Sequence, residues 1–341
     1  MLAIAVLAAA MATSPKPGEL KSFDDWAVGC DNGRACTAVS LMEMESGENQ
    51  LTVQIVRGPG RGETARLRIA NIENRQPGSD VSFILDGTTQ VATAQTPRDD
   101  APIEIPLDAK AISAMRNGKT LELRDANGAS LGSTSLQGMT AALLYMDDKQ
   151  LRAKSVTALI ANGPAPANVV PLPPPLPSIA PARTGKAETL KLSADDMARL
   201  HARTTCDAED SNIEAREAIR IDKRTWLALV PCGAGAYNYL SVPVLVSSTA
   251  GIRKMKVAEF DFAPGFTEGA GPPLLVNAGW DAATGRLSSY AKGRGLGDCG
   301  SAEDYVWDGK RFRLVGQVAM QECRGVIDWI TTWRANVAKR K

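Results

Sequence analysis

Histidine is almost absent. The chain has 341 residues and one histidine, His201. A Ser-His-Asp or Cys-His catalyst would have to use it, and no G-x-S-x-G elbow accompanies it. His201 stands beside Leu200 in a stretch with helical spacing, where a lone histidine serves the surface or the packing. One histidine also leaves little with which to ligate zinc or a transition metal. The six cysteines form no C-x-x-C pair, so neither a thioredoxin-type site nor a zinc knuckle is indicated. An excess of charge is missing too: 39 basic residues face 38 acidic ones, so nothing draws the chain to nucleic acid or to an acidic membrane. No apolar run reaches the roughly 20 residues of a membrane-spanning helix. The expectation is therefore no catalytic residue, no metal ligand, no cofactor and no transmembrane segment.

What is present points outward from the cell. Leu2 to Ala12 is a short apolar run ending in Ala10-Met11-Ala12, an A-x-A pattern, followed by polar Thr13-Ser14. This reads as a signal peptide over residues 1–12, although no Lys or Arg precedes the run. An even number of cysteines in an exported chain predicts disulfides. They stand at Cys30, Cys36, Cys206, Cys232, Cys299 and Cys323. If the two halves fold separately, Cys30 must pair with Cys36. The other four allow three connectivities, of which Cys206–Cys232 and Cys299–Cys323 close local loops and are favoured. Each such loop constrains the unfolded chain by roughly 3 kcal/mol in the entropy view.

The organisation reads as two β-rich domains and a spacer. Residues 20–160 show short extended runs. Phe23 to Cys30 and Ala35 to Leu41 flank Asn32-Gly33, a hairpin signal. In Thr64 to Ala70, Ala65, Leu67 and Ile69 alternate with Thr64, Arg66 and Arg68. A helix is predicted over Asp108 to Arg116, capped by Asp108 and stopped by Asn117-Gly118. A second is predicted from Leu136 to Leu151 behind Ser135, with Asp147, Asp148 and Lys149 as its solvated end. Together these predict an antiparallel, sandwich-like domain with one or two helices. Residues 161–185 hold GPAPANVVPLPPPLPSIAPAR, whose prolines favour extended polyproline II and so an interdomain spacer. Residues 186–341 predict a helix capped by Ser193 and then serial hairpins, a disulfide-stapled antiparallel meander. Pro243 there suggests an edge strand or a bulge, and Trp329 and Trp333 are expected to pack onto the sheet.

One stretch dominates the second domain: Leu287 to Arg324. Within it Gly295-Leu296-Gly297-Asp298-Cys299-Gly300 fits G-x-G-x-x-G, but a dinucleotide fingerprint needs a helix directly after it and βαβ surroundings. Extended Tyr305-Val306-Trp307 follows instead. The same loop carries Lys292, Arg294 and Asp298 among its glycines. A glycine-rich backbone exposes N–H groups, and the two cations there can meet a carboxylate, a phosphate or a partner protein. These three are the candidate binding residues; the plainer reading is a tight loop with solubilising charges. The carboxylate pairs Asp147/Asp148 and Glu303/Asp304 do not suggest a glycosidase, because neighbours on a strand point opposite ways.

Several of these segments together resemble the bacterial "domain of unknown function 1176" family. They are F-x-D-W-x-V-x-C-D-N-x-x-x-C from Phe23 to Cys36, Ala141 to Asp147, the proline-rich spacer, Pro231 to Asn238 and Leu287 to Arg324. The first domain also resembles the invasion-associated locus B family through Trp26, Cys30, Cys36 and the second helix. The resemblance implies a periplasmic or secreted Gram-negative protein without assigned chemistry and supplies no catalytic residues. The expected function is then non-enzymatic: binding of a partner protein or cell-envelope component through loops, with inhibition of a lytic enzyme as one form. The alternative is an envelope hydrolase using paired carboxylates and no histidine. Two convergent, pKa-shifted carboxylates in a pocket favour the hydrolase; a protruding loop favours the binder.

Overall fold

A computed structural model describes residues 14–338, apart from 44–49, 71, 73–75, 100, 184–187, 205, 207–216, 250–251, 266 and 268–270. The segment read as a signal peptide lies outside the described residues.

The first half begins with β1 (Leu20–Phe23), β2 (Trp26–Cys30), β3 (Cys36–Ser40), β4 (Gln54–Arg57) and β5 (Arg66–Ile69). Then come β6 (Asp80–Leu85), β7 (Thr89–Gln95), β8 (Ile103–Pro106), α1 (Ala109–Asn117), β9 (Thr120–Asp125), β10 (Ser130–Ser135) and α2 (Met139–Lys149). Two antiparallel sheets result, ordered β1-β2-β3-β4-β5-β8 and β10-β9-β6-β7. Val28, Ile55 and Leu67 from the first sheet share one core with Phe83 and Leu123 from the second and with Met115 and Leu143 from the helices. The alternation in β5 holds: Ala65, Leu67 and Ile69 are buried while Arg66 faces solvent. Asp108 caps α1, accepting from the Ala111 N–H at 2.7 Å.

One local expectation holds and two fail for tertiary reasons. Asn32-Gly33 centres the expected turn, the Arg34 N–H donating to the Asp31 carbonyl at 3.0 Å. The loop runs over residues 31–35 because Asp31 Oδ1 accepts from the N–H groups of both Gly33 (2.7 Å) and Ala35 (2.9 Å), which moves the left-handed residue to Arg34. Ser135 does not cap α2. The helix starts after Gly138, which is left-handed where the chain passes against the Phe23 carbonyl; a Cβ there would collide with it. The end of α2 is solvated at Asp148 and Lys149 but not at Asp147, which is fully buried.

The second half contains β11 (Ser178–Ile179), β12 (Thr189–Lys191), α3 (Ala194–Thr204), β13 (Glu217–Arg220), β14 (Thr225–Ala234), β15 (Tyr239–Thr249) and β16 (Ile252–Val257). It continues through β17 (Leu275–Val276), β18 (Gly279–Asp281), β19 (Arg286–Lys292), β20 (Gly300–Trp307), β21 (Phe312–Met320), β22 (Ile330–Arg334) and β23 (Asn336–Val337). One sheet is ordered β12-β13-β14-β15-β16, with β17 added on β15; the other is the meander β18-β19-β20-β21-β22. Leu227 and Leu275 of the first pack against Leu287, Tyr305, Phe312 and Leu314 of the second. Ser193 and Asp196 cap α3 reciprocally, each accepting from the other's N–H. His201 lies in α3, half-buried. Trp333 packs in the core and donates to the Leu314 carbonyl, while Trp329 stacks on Tyr290.

Pro243 lies in a central strand, not at an edge or a bulge. β15 pairs with β14 on one side; on the other it pairs with β17 at Leu240 and Ser241 and with β16 from Val244 onward. The Pro243 carbonyl accepts from Ala258 on that second side, so the missing N–H falls where one neighbour hands over to the next. A proline costs no ladder bond at such a position.

Disulfides join Cys30–Cys36, Cys206–Cys232 and Cys299–Cys323, and no cysteine is free. Cys30 and Cys36 are direct cross-strand partners in β2 and β3. The proline-rich stretch is docked along its length. Val170 and Ile179 are buried, β11 pairs in parallel with β23, and the Ala182 N–H donates to the Trp307 carbonyl at 2.7 Å. No helix among the described residues is long and apolar enough to cross a membrane.

Candidate functional site

The loop between β19 and β20 is closed on itself. Gly300 is left-handed and abuts the Ala291 carbonyl, where a Cβ would collide; only glycine fits such a backbone. The Gly293 N–H donates to the Cys299 carbonyl at 2.8 Å, and the Gly297 N–H to the Arg294 carbonyl at 3.0 Å. Both donors are therefore used internally and do not form an open anion cradle. A strand, β20, follows the loop, so the G-x-G-x-x-G spacing has no helix to serve.

The three residues proposed from the sequence part company here. Asp298 is fully buried. It accepts from Arg294 Nε at 2.7 Å, from the same guanidinium's terminal nitrogen, and from the Gly325 N–H at 2.8 Å. The Arg294 hydrogen bonds, aided by that N–H, outweigh burial and hold the Asp298 carboxyl below its usual range. Arg294 and Asp298 thus spend their charges on each other and on the loop. Lys292 is different. Asn238 grips its backbone from both sides, donating to its carbonyl at 2.9 Å and accepting from its N–H at 3.2 Å. Its ammonium lies 5.8 Å from the Tyr290 ring centre and forms no ion pair with a described carboxylate. Exposed apolar groups share this end of the sheet: Leu296 at the loop tip (66% exposed), Tyr239 (59%) and Ile327 (52%).

Below the loop lies a second constellation, which sequence reasoning missed. The segment between β21 and β22 is tied to the loop by Cys299–Cys323 and by Asp298, and it reaches across to the first half. Arg324 donates to the carbonyls of Met42 (2.7 Å) and Asp24 (3.1 Å) and pairs with Asp25 at 2.8 Å. Arg334 pairs with Asp31, and its backbone N–H and carbonyl both bond the side chain of Asn32, at 2.8 and 2.9 Å. Ala27, Val39 and Leu41 pack against Met320, Val326 and Ile330 between these polar contacts. Every residue of β2 is buried as a result: Trp26 and Val28 face the first core and Ala27 faces the second half. Asp25, Asp31 and Asn32 sit beside turns, where local chemistry already accounts for them, so their long-range partners leave no signal in the sequence.

The carboxylates do not converge. Glu303 is buried opposite Ser289 and Gln317, whereas Asp304 faces out and pairs with Arg286 at 3.0 Å. Burial pushes the Glu303 carboxyl up, though hydrogen bonds from Ser301 and Gln317 oppose this. No cluster of three or more His, Cys, Asp or Glu with metal-binding geometry exists among the described residues.

Residues 20–336 match the family described as "Protein of unknown function (DUF1176)". An Escherichia coli (strain K12) protein described as "Uncharacterized protein YpfG" is 28% identical over an alignment of 331 residues that covers 92% of each chain. The crystal structure of invasion associated protein B from Bartonella henselae aligns with 39% of this chain and 99% of its own, at 16% identity and a TM-score of 0.30.

Proposed function

The chain belongs to the family of unknown function DUF1176, and from that footing we propose that it is a non-enzymatic periplasmic or secreted protein that binds a partner protein or envelope component through the Lys292 loop. The observation that carries this reading is the division of labour in the loop. Arg294 and Asp298 are consumed in holding it, while half-buried Lys292 has no ion pair with a described carboxylate and the apolar side chains of Leu296 and Tyr239 stand outward on a disulfide-fixed frame. A preorganised loop loses little entropy on binding, and apolar groups around one cation suit a protein surface carrying a carboxylate. An inhibitor of a lytic enzyme is one form of such a binder.

The compartment is part of the same reading. Three disulfides with no free cysteine suit an oxidising environment, and residues 1–12 are read as the signal that delivers the chain there. The division into 20–160, a linker at 161–185 and 186–341 is supported by separate hydrophobic cores on either side of the proline-rich stretch. The hydrolase alternative requires two carboxylates on one face, and Glu303 and Asp304 face opposite ways.

The test is a pulldown from periplasmic extract with the wild type and with Lys292→Glu, at a half-buried position, and Leu296→Asp, at an exposed one, neither of which is part of the clamp. Loss of the same band with both variants supports the reading. Equal recovery from all three removes the loop from it, and cytoplasmic retention of a C-terminally tagged full chain on fractionation removes the compartment.

A further inference from the structure

The first half holds a cleft of about 380 Å³ between the β4–β5 loop, α1 and residues 156–162. That volume falls in the ~300–1,000 Å³ range of small-molecule sites. One wall is apolar, built from Leu107, Ile112, Ala158, Leu159 and Ile160, with exposed Val156 at the mouth. Arg57 lines the cleft; Arg61 and Arg116 also line it and are exposed. Of its two acidic residues, Asp108 is committed to capping α1, which leaves Glu63.

The charge of the cleft and the layer beneath it does not balance: Arg57, Arg61, Arg116 and Arg152 face Asp108, Asp147 and Glu63, the last acting on Arg152. Arg57 and Arg152 are both buried, and the one buried carboxylate near them is Asp147. Asp147 already receives the N–H groups of Leu159, Ile160 and Ala161 as well as Arg57. The Nε–H of Arg57 is buried with no acceptor, and so is that of Arg152. Burial, with Arg152 adding to it, lowers the Arg57 pKa against the pull of Asp147. Buried charges are ordinarily matched, and buried donors ordinarily have acceptors. An apolar wall beside one surplus positive charge is complementary to a molecule with one negative charge and an apolar body.

We propose that this cleft binds a medium-chain carboxylate, its head toward Arg57, Arg61 and Arg116 and its chain along Leu107, Ile112 and Ile160. A monoanion balances the single surplus charge. A carboxylate matches the planar guanidinium fork. The site is separate from the Lys292 loop, and its occupancy does not depend on what that loop binds.

The experiment is calorimetric titration of the full chain with hexanoate, octanoate and decanoate below their micellar concentrations, with decylamine, decanol and inorganic phosphate as comparators. One-to-one binding of decanoate is expected, tightening about fourfold per added methylene along the series. The amine, the alcohol and phosphate are expected to bind about tenfold more weakly or worse. Arg116→Glu and Val156→Asp, both at exposed positions, are expected to weaken decanoate about tenfold with unchanged melting curves. Three results would each overturn the proposal: no heat with decanoate, equal affinity for decylamine, or decanoate binding that neither variant weakens.

Discussion

Two buried aspartates invite comparison. Asp147, at the end of α2, and Asp298, before β20, are both fully buried and both pair with an arginine. Each also gathers backbone N–H groups from a segment that would otherwise lack a partner: Leu159 to Ala161 in one case, Gly325 in the other. The arginines differ. The Arg57 side chain is 1% exposed and that of Arg294 is 48% exposed. In the first pair both charges have left water. In the second only the carboxylate has, and the guanidinium keeps its hydration. The first pair therefore acts as an all-or-none element of the fold, and the second as a clip whose outer half is dispensable.

Asp147→Ala is the change with the largest expected effect. It strands Arg57 in the interior beside Arg152 and releases three backbone donors at once. Removing one partner of a buried pair costs about 3–5 kcal/mol, read as a fall in the urea midpoint. Hydrogen exchange should also speed up at residues 159–161. A loss no greater than that of the matching change at Asp298 would erase the distinction between the two sites.

Asp298→Ala follows. It leaves the Gly325 N–H without its acceptor, at about 1–3 kcal/mol, but Arg294 simply turns to solvent. The loss has a pH signature. The folded carboxyl is held below its usual range, so its contribution is present above the unfolded pKa of about 3.9 and disappears as pH falls through the folded value. Stability curves of wild type and variant should converge in acid. Exchange at Met42, whose N–H donates to the neighbouring Arg324 carbonyl, should quicken if the clip also steadies the joint between the halves.

How far the sequence announces these roles depends on the range of the interaction. Features with short-range causes were legible: Cys30 opposite Cys36, the Asp108 cap, the alternation in β5, the meander after Cys206, and the loop itself. Asp147 reads as a solvated helix end because its partners lie in a segment with no pattern of its own, folded back by this very residue. The proline-rich stretch reads as a spacer because its composition dictates extension but not docking. Pro243 reads as an edge because a strand's neighbours on its two sides cannot be counted from one chain segment. At the candidate site, residue types alone placed Lys292, Arg294 and Asp298 together. They could not separate the two that clamp from the one that stands free, since that split turns on which carboxylate a guanidinium reaches.

A third buried carboxylate sharpens the rule. Glu303 has no arginine, and burial raises its pKa. The sign of its linkage is the reverse of that for Asp298. Its folded pKa lies above the unfolded one, so stability is greatest below the unfolded value of about 4.3 and falls as pH rises toward the folded value. Glu303→Gln should therefore stabilise the protein at neutral pH, by about 0.5–2 kcal/mol, with the gain fading in acid. A loss at pH 7 instead would mean that the ionised form is accommodated without a cation, and the partner arginine would no longer explain the other two sites.

Arg294→Ala is the smallest change and the most direct test of the comparison. It removes a guanidinium that is half in water, so little solvation is regained or lost and the Gly325 N–H keeps its acceptor. At neutral pH the melting curve should fall slightly below that of the wild type, whereas Arg57→Ala should be severely destabilised because it leaves Asp147 uncompensated in the interior. That small loss should be largest above the unfolded pKa of the carboxyl and fade in acid. The Arg294 hydrogen bonds are the largest cause of the lowered Asp298 pKa, so without them the carboxyl takes up its proton at a higher pH, and the acid limb of the stability curve should move upward in pH. An unmoved acid limb would mean that the Gly325 N–H alone holds the aspartate. A large loss at pH 7 would mean that the exposed half of the clip is as essential as its buried counterpart in the first half.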